Sequence, residues 1–359
     1  MQRVVGVDAA RGLAILGMFT AHLADDTLRL PNGSSWLEAA DGRPAAMFAL
    51  LAGVSAGFIS RGGLWHARVR ILVRAAVLLP LGVLLAVLGT RIAVILPAYA
   101  VMFAMLTVAL AWRPRRLVVA AGVVLLVAPP VVFTARDPLT AGRFGPLTYP
   151  AELLVGEYYP ALVWIAYLLV GLALVRLDLT DQRTPRMLAL WGLPLAVAGY
   201  GAGAVAVRTI PPEGTLIRAL LDASPHADSA VEVVGNIGVA MCVLAVCLVL
   251  GSRAVLYPIA ATGALALTAY SVQVLVIAWL GDEVFTRPSN LLLTAFTVVT
   301  LAAAVLWRTF VGRGPLEAGL HRSSTWVADR LVPSGRNPET QRDTVTTPAL
   351  SPPPDASQP

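Results

Sequence analysis

The chain of 359 residues is 57% hydrophobic and only 13% charged, with a mean hydropathy of +0.74. That charge content is about half of what soluble domains carry. It excludes a soluble globular enzyme and predicts an all-α, polytopic helical membrane protein whose fold is dictated by lipid. The formal net charge of +6 rests on 27 basic residues, every one an arginine; in so apolar a chain they belong to cytoplasmic loops, with no nucleic acid as partner.

The first apolar segment, VDAARGLAILGMFTAHL, carries Asp8, Arg11 and His22. Eleven steps at 100° return a helix to within about 20° of the same face, roughly 16 Å further along its axis. Asp8, three residues before Arg11, shares that side. An ionisable side chain inside a span is expensive unless it is paired or faces a polar cavity, so it marks function. The spacing predicts a cation and an imidazole at two depths of a single protein-enclosed cavity. His22 suits acid–base chemistry, with Asp25 one turn on and Asp26 four residues on as carboxylates to orient the ring; the plainer reading is a hydrated interfacial histidine. Around Arg11, Gly12 and the alanines Ala9, Ala10 and Ala14 favour close helix packing, hence an arginine facing protein. The alternative is snorkelling to the headgroups, paired with Asp8. Asp8 and Arg11 also interrupt what a cleavable signal would need as its apolar core.

Counting this first one, ten apolar runs lie in order, at about 7–24, 44–60, 68–89, 92–112, 116–135, 155–176, 187–207, 230–250, 256–280 and 290–310, each long enough to predict a span. Placing both termini in the cytoplasm puts eighteen arginines inside and eight outside, with Arg11 in the membrane. Ten helices, N-in and C-in, in the inner (plasma) membrane of the cell are therefore expected. In the second run, Gly53 and Gly57 suit tight helix contact. The inner cluster of Arg61, His66, Arg68, Arg70 and Arg74 is either a site for the phosphates of a nucleotide-like cofactor or the plain topology signal. Glu152 and Glu157 either line an outer vestibule or are simply hydrated. In the outer loop 208–229, Asp222, His226 and Asp228 have loosely metal-like spacing, but a flexible loop is a poor context and no metal is expected. Glu232 and Asn236 open the eighth run, and Tyr270, Ser271 and Gln273 lie in the ninth; such side chains more often bridge helices than bind substrate. Cys242 and Cys247 read as core packing.

Residues 1–310 thus form the membrane domain, 311–332 an amphipathic helix on the inner surface, and 333–359, rich in Pro, Ser and Thr, a disordered cytoplasmic tail. There is no phosphate-binding glycine loop, nucleophile elbow or HExxH motif.

The opening RVVGVDAARGLAILGMFTAH with DGRPAAMFALLAGVSAGF resembles the N-terminal region of the YeiB-like bacterial membrane proteins, which is related to the catalytic domain of heparan-α-glucosaminide N-acetyltransferase. ATGALALTAYSVQVLVIAWL and RGPLEAGL resemble the YeiB-like C-terminal half, so the resemblance divides the membrane domain into 1–207 and 208–310. The spacing of Arg11 and His22 also resembles the first-helix motif of bacterial membrane acyltransferases that modify surface polysaccharides. The resemblance implies transfer of an acyl group, most simply acetyl, from cytoplasmic acyl-CoA to an envelope glycan or glycolipid across the membrane. It implies Arg11 and His22 as the active pair with Asp8 and Asp25 beside them, and Arg61, Arg68, Arg70 and Arg74 as the acyl-CoA phosphate site. In the heparan enzyme the catalytic histidine lies in the first outer loop. This sequence has none between His22 and His66, so His22 takes that role or the transferase chemistry is lost. The alternative from another class is a transporter or flippase without covalent chemistry, though no inverted pair of broken helices is apparent; a structural membrane partner is a third. A homodimer is compatible with all three.

Overall fold

The computed structural model describes residues 4–25, 35–211, 216–251 and 253–332. Asp26 and the expected tail 333–359 lie outside the described residues. Fifteen α-helices follow one another: α1 (Val5–Leu23), α2 (Arg43–Ser60), α3 (Leu64–Val87), α4 (Leu96–Ala109), α5 (Pro114–Thr140), α6 (Thr148–Val155), α7 (Ala161–Leu174), α8 (Thr184–Thr209), α9 (Leu216–Leu220), α10 (Ala230–Leu250), α11 (Tyr257–Ala264), α12 (Ala266–Leu280), α13 (Glu283–Thr286), α14 (Asn290–Phe310) and α15 (Pro315–Leu331). No strand occurs among the described residues. The chain is a helical membrane protein.

All ten expected runs coincide with helices, but the expected count of ten spans is too high. Six of them, α2, α3, α5, α8, α10 and α14, are long and apolar enough to cross a bilayer, and α11 with α12 makes a seventh if counted as one broken span. The helices α4 and α7 have 14 residues each, about 21 Å of rise against a hydrocarbon core near 30 Å. They can be short because protein, not lipid, surrounds them: nearly every residue of α7 is buried. The first helix is interrupted by Asp8 and Arg11 and is likewise sheathed, burying Asp8, Ala9, Ala10, Gly12, Ala14, Ile15 and Phe19. By contrast α5 exposes Val118, Val119, Val123, Leu126 and Val127, an apolar stripe suited to lipid.

Small residues let the interior helices meet backbone to backbone. A Cβ on Gly12 would collide with the carbonyl of Ile259 at the start of α11, and one on Gly263 with the carbonyl of Asp8. The α1–α11 contact is therefore held at a separation only glycine permits, which brings the end of α11 to Arg11.

Between α11 and α12 the chain bends by 72°. The break exposes the first N–H groups of α12, which have no partner within the helix. Glu317 of α15 supplies one, accepting the Thr268 N–H at 3.0 Å and its hydroxyl at 2.6 Å; a carboxylate is also favoured at the positive end of a helix. Further along α15, Asp329 meets His66 Nε2 at 2.7 Å and His321 Nδ1 lies 3.4 Å from Arg70. The C-terminal amphipathic helix is thereby tied to both α12 and α3.

Candidate active site

Two cavities lie along α1. The larger, about 460 Å³, opens at the arginine-rich end. Its polar wall consists of Asp8, Arg11, Ser55, Arg74, Arg313, Glu317 and His321, and its apolar wall includes Phe48, Phe58, Leu96, Tyr99 and Phe103. Arg11 is fixed in it by three acceptors: Asp8 at 2.9 Å, the Ser55 hydroxyl at 2.9 Å and the Gly263 carbonyl at 3.3 Å. Ser55 in turn donates to the Leu51 carbonyl at 2.7 Å, which aims its oxygen at the guanidinium. Burial, and then Arg313, Arg70 and Arg74, hold the His321 pKa below its ordinary value. The cavity thus gathers four guanidinium groups, counting Arg70 behind His321, against the two carboxylates Asp8 and Glu317. Such a concentration of fixed cations suits an anion.

The smaller cavity, about 60 Å³, lies at the other end of α1, lined by Met18, His22, Asp41, Gly42, Ile95, Tyr159, His226 and Tyr270 among others. His22 Nδ1 is bonded to the Gln273 amide nitrogen at 2.9 Å. His226 Nε2 stands 3.4 Å from Asp41. Gly42, with φ +69°, turns the chain from Asp41 into α2. Burial disfavours a charged His226, but the bond and charge of Asp41 outweigh it, so its pKa rises above the ordinary imidazole value. The same bond lowers that of Asp41.

The loop that delivers His226 is strained and heavily tied. Among the described residues only Tyr159, His226 and Asp228 adopt positive φ without being glycine, at 56°, 62° and 55°. Two of these line this cavity and the third is two residues from His226. Strain of this kind persists only where the surroundings enforce it, and it clusters at functional sites. The enforcement is visible. Glu232 accepts the N–H groups of His226 at 3.0 Å and Asp228 at 2.7 Å, while Ser229 caps α10 by accepting the Glu232 N–H at 3.1 Å. Asp228 accepts from Arg136 and from Trp164 Nε1, both at 2.7 Å. Burial pushes the Asp228 pKa up to about 6 despite Trp164 and Arg136. Asn236 donates to Glu232 and to Tyr167, and accepts from Tyr200, whose oxygen also takes the Arg43 Nε proton.

The expected single cavity is therefore two. Consecutive turns of the same helices face opposite sides of the partition: Ala45 and Phe48 on α2, Ile95 and Tyr99 around the start of α4, Tyr270 and Ala266 on α12. On these three helices the wall is about one turn thick, near 5 Å, and on α1, where Arg11 and Met18 are the nearest lining residues, about two turns, near 10 Å. Bulky rings fill it, Tyr99 lying 5.8 Å from Phe48 and 6.1 Å from Phe103 between centroids. The buried Tyr99 hydroxyl has no hydrogen-bond partner.

Other expected site residues are dispersed. Asp25 lies beside the start of α14, its N–H donating to Asn290 at 3.1 Å, and it is not among the residues lining the His22 cavity. Of the four arginines expected to take phosphates, Arg74 lines the larger cavity and Arg70 backs His321. Arg61 instead donates to the Val175 carbonyl at 3.2 Å, and Arg68 to the Thr107 carbonyl at 3.1 Å, satisfying helix-end acceptors. Glu152 and Glu157 are exposed. Asp222, His226 and Asp228 point to separate partners, and among the described residues no group of three His, Cys, Asp or Glu side chains is placed to hold a metal ion. Sequence reasoning missed the pairing of His226 with Asp41 and the part of Arg313. The signal for the first was the S-x-x-E capping box at Ser229–Glu232, which fixes where α10 starts and sets His226 three residues before it.

No curated protein matches the sequence. The family described as "Heparan-alpha-glucosaminide N-acetyltransferase, catalytic" matches residues 3–200, a stretch that includes Arg11, His22 and Asp41. With more than half of its length matched, the chain belongs to the heparan-α-glucosaminide N-acetyltransferase catalytic-domain family.

Proposed function

We propose that this protein transfers an acyl group, acetyl in the simplest case, from cytoplasmic acetyl-CoA to an amine or hydroxyl of an envelope glycan or glycolipid outside the inner membrane. The observation that carries the reading is the pair of cavities set back to back along α1, with cations in one, histidines in the other, and a thin wall of side chains between. Arg74, Arg313 and Arg70 are suited to phosphates at the mouth of the larger cavity. Arg11, held by Asp8, Ser55 and Gly263, is suited to hold the polar groups of the pantetheine arm in the larger cavity, while the thioester end reaches past Phe48 and Tyr99 toward His22. The smaller cavity admits a few waters or an acetyl group but no sugar ring, so an acceptor has to approach from the loops that carry Asp41 and His226. The matching family brings an acetyltransferase precedent; the donor, the acceptor and the membrane are our reading.

The test is direct. Purified protein is given labelled acetyl-CoA with glucosamine, or with a glycolipid extract of bacterial envelopes. Acetylation of either, or acetyl-CoA hydrolysis without acceptor, supports the proposal. Folded, monodisperse protein that does neither refutes it.

A further inference from the structure

The smaller cavity holds two imidazoles, and their surroundings are not equivalent. His22 meets Gln273 through Nδ1. The Gln273 nitrogen also faces the carbonyl of Met18 at 3.5 Å. Turning the amide over would set its oxygen against that carbonyl, so the nitrogen is the atom that faces both. Nδ1 of His22 must then accept, and the ring proton sits on Nε2. A neutral histidine with an engaged Nδ1 and a proton on Nε2 has no lone pair left to act as a base. His226 is arranged the other way. Its Nε2 lies 3.4 Å from the Asp41 carboxylate, whose charge favours the proton on that nitrogen, and its buried Nδ1 has no hydrogen-bond partner. The lone pair is therefore on His226.

We propose, on the footing of the acetyltransferase reading, that His226, oriented by Asp41, removes the proton from the acceptor, while His22 serves only as a hydrogen-bond donor to the acetyl carbonyl. The outer loop 208–229 thereby supplies the histidine that the first outer loop lacks. In the step, the acceptor oxygen or nitrogen bonds to the acetyl carbon as its proton passes to His226 Nδ1. The carbonyl oxygen, negative in the tetrahedral intermediate, is held by His22 Nε2–H. The C–S bond then breaks, and the departing thiolate receives the proton from His226, leaving acetylated acceptor and free thiol. Asp41 stabilises the transient imidazolium without being protonated, as the acid of a catalytic triad does. The groups that face His226 and set its titration are Asp41, Asp228 and Glu232, with His22 across the cavity. The tyrosine rings of Tyr158 and Tyr159 enclose it, with centroids at 5.8 and 5.7 Å.

The left-handed backbone at His226 makes the test clean, because glycine adopts φ +62° without strain. Relief of that strain offsets part of what His226→Gly loses with the Asp41 pair and the tyrosine contacts, thermal unfolding checks that the variant is folded, and the deletion leaves room for added imidazole. Its kcat for acetyl transfer should fall about 10²–10⁴-fold, the range for loss of a general base, and imidazole should restore part of it. The acidic limb of the wild-type kcat profile should vanish in this variant. His22→Gln keeps an N–H donor and should lose no more than about 10²-fold, with the acidic limb intact and no response to imidazole. The assignment is overturned if His226→Gly stays within tenfold of wild type, or if the acidic limb and imidazole rescue belong to the His22 variant. If the wild-type protein transfers no acetyl group, the acetyltransferase reading and this assignment fail together.

Discussion

Replacing Gly12 with alanine sets two effects of known size against each other. Alanine is about 1 kcal/mol better than glycine inside a helix. At position 12 its methyl would meet the Ile259 carbonyl, with the Ile259 side chain close behind. Overpacking typically costs 1–3 kcal/mol, and a backbone carbonyl cannot swing aside as a side chain can, so the upper end applies. The net expectation is a loss of about 2 kcal/mol. Gly122, on α5, has nothing within 4 Å of its Cβ position, so the same substitution there should gain up to about 1 kcal/mol. Thermal unfolding in detergent should separate the two variants by several degrees, in that order. Because α11 carries the Gly263 carbonyl that Arg11 uses, Gly12→Ala should also weaken acetyl-CoA binding, and Gly122→Ala should not. A Gly12→Ala protein as stable as Gly122→Ala would refute the close α1–α11 crossing and with it the placement of Arg11.

Further outcomes follow from the same geometry. Arg11→Ala should cut kcat/KM for acetyl-CoA by the equivalent of about 1.5–3 kcal/mol, the range for a lost hydrogen bond to a charged group, and Arg11→Lys should recover only part, because an ammonium cannot span Asp8, Ser55 and Gly263 at once. Arg74→Ala and Arg313→Ala should raise the Kd for acetyl-CoA in titration calorimetry, whereas Arg61→Ala and Arg68→Ala should leave it unchanged and lower the melting temperature instead; the reverse pattern would relocate the anion site. Ser229→Ala should destabilise the protein by about 1 kcal/mol, as other lost N-caps do, read from thermal unfolding. The His226–Asp41 pair gives a pH signature. A lowered Asp41 pKa adds stability above the ordinary carboxylate pKa, lost as pH falls through the folded value; a raised His226 pKa adds stability below the ordinary imidazole pKa, lost as pH rises through the folded value. The contribution is therefore full between about pH 4 and 6.5. Asp41→Asn should lower the melting temperature more at pH 5.5 than at pH 8.5, and an equal drop at both would remove the ion pair from the account.

What could be read in the sequence follows the range of each interaction. The shared face of Arg11 and His22 needs only the period of one helix, and the Asp8–Arg11 pair needs only a separation of three. Both are local, and both are present. The position of every apolar run was legible too, but the number that cross lipid was not. Hydropathy reports how apolar a segment is, whereas α4 and α7 are short because neighbouring helices, rather than lipid, cover them. The division into two cavities depends on Phe48 of α2 meeting Tyr99 of α4, and on Tyr270 of α12 accepting the Ile95 N–H at the start of α4, long-range events with no periodicity of their own. The same limit hid His226. Asp41 and His226 approach from two loops distant in sequence, and a weak metal-like spacing near His226 drew attention to Asp222 and Asp228, which are used by Ser224, Ser229, Arg136 and Trp164.

The central claim, donor and acceptor on opposite sides of one protein, is tested most directly by sidedness. The protein is reconstituted in vesicles that enclose glucosamine, and labelled acetyl-CoA is added outside to the population whose Arg11 end faces out. The account predicts labelled N-acetylglucosamine inside the vesicles, lost in Arg11→Ala. Label appearing only on glucosamine supplied outside, with none in the lumen, would contradict it.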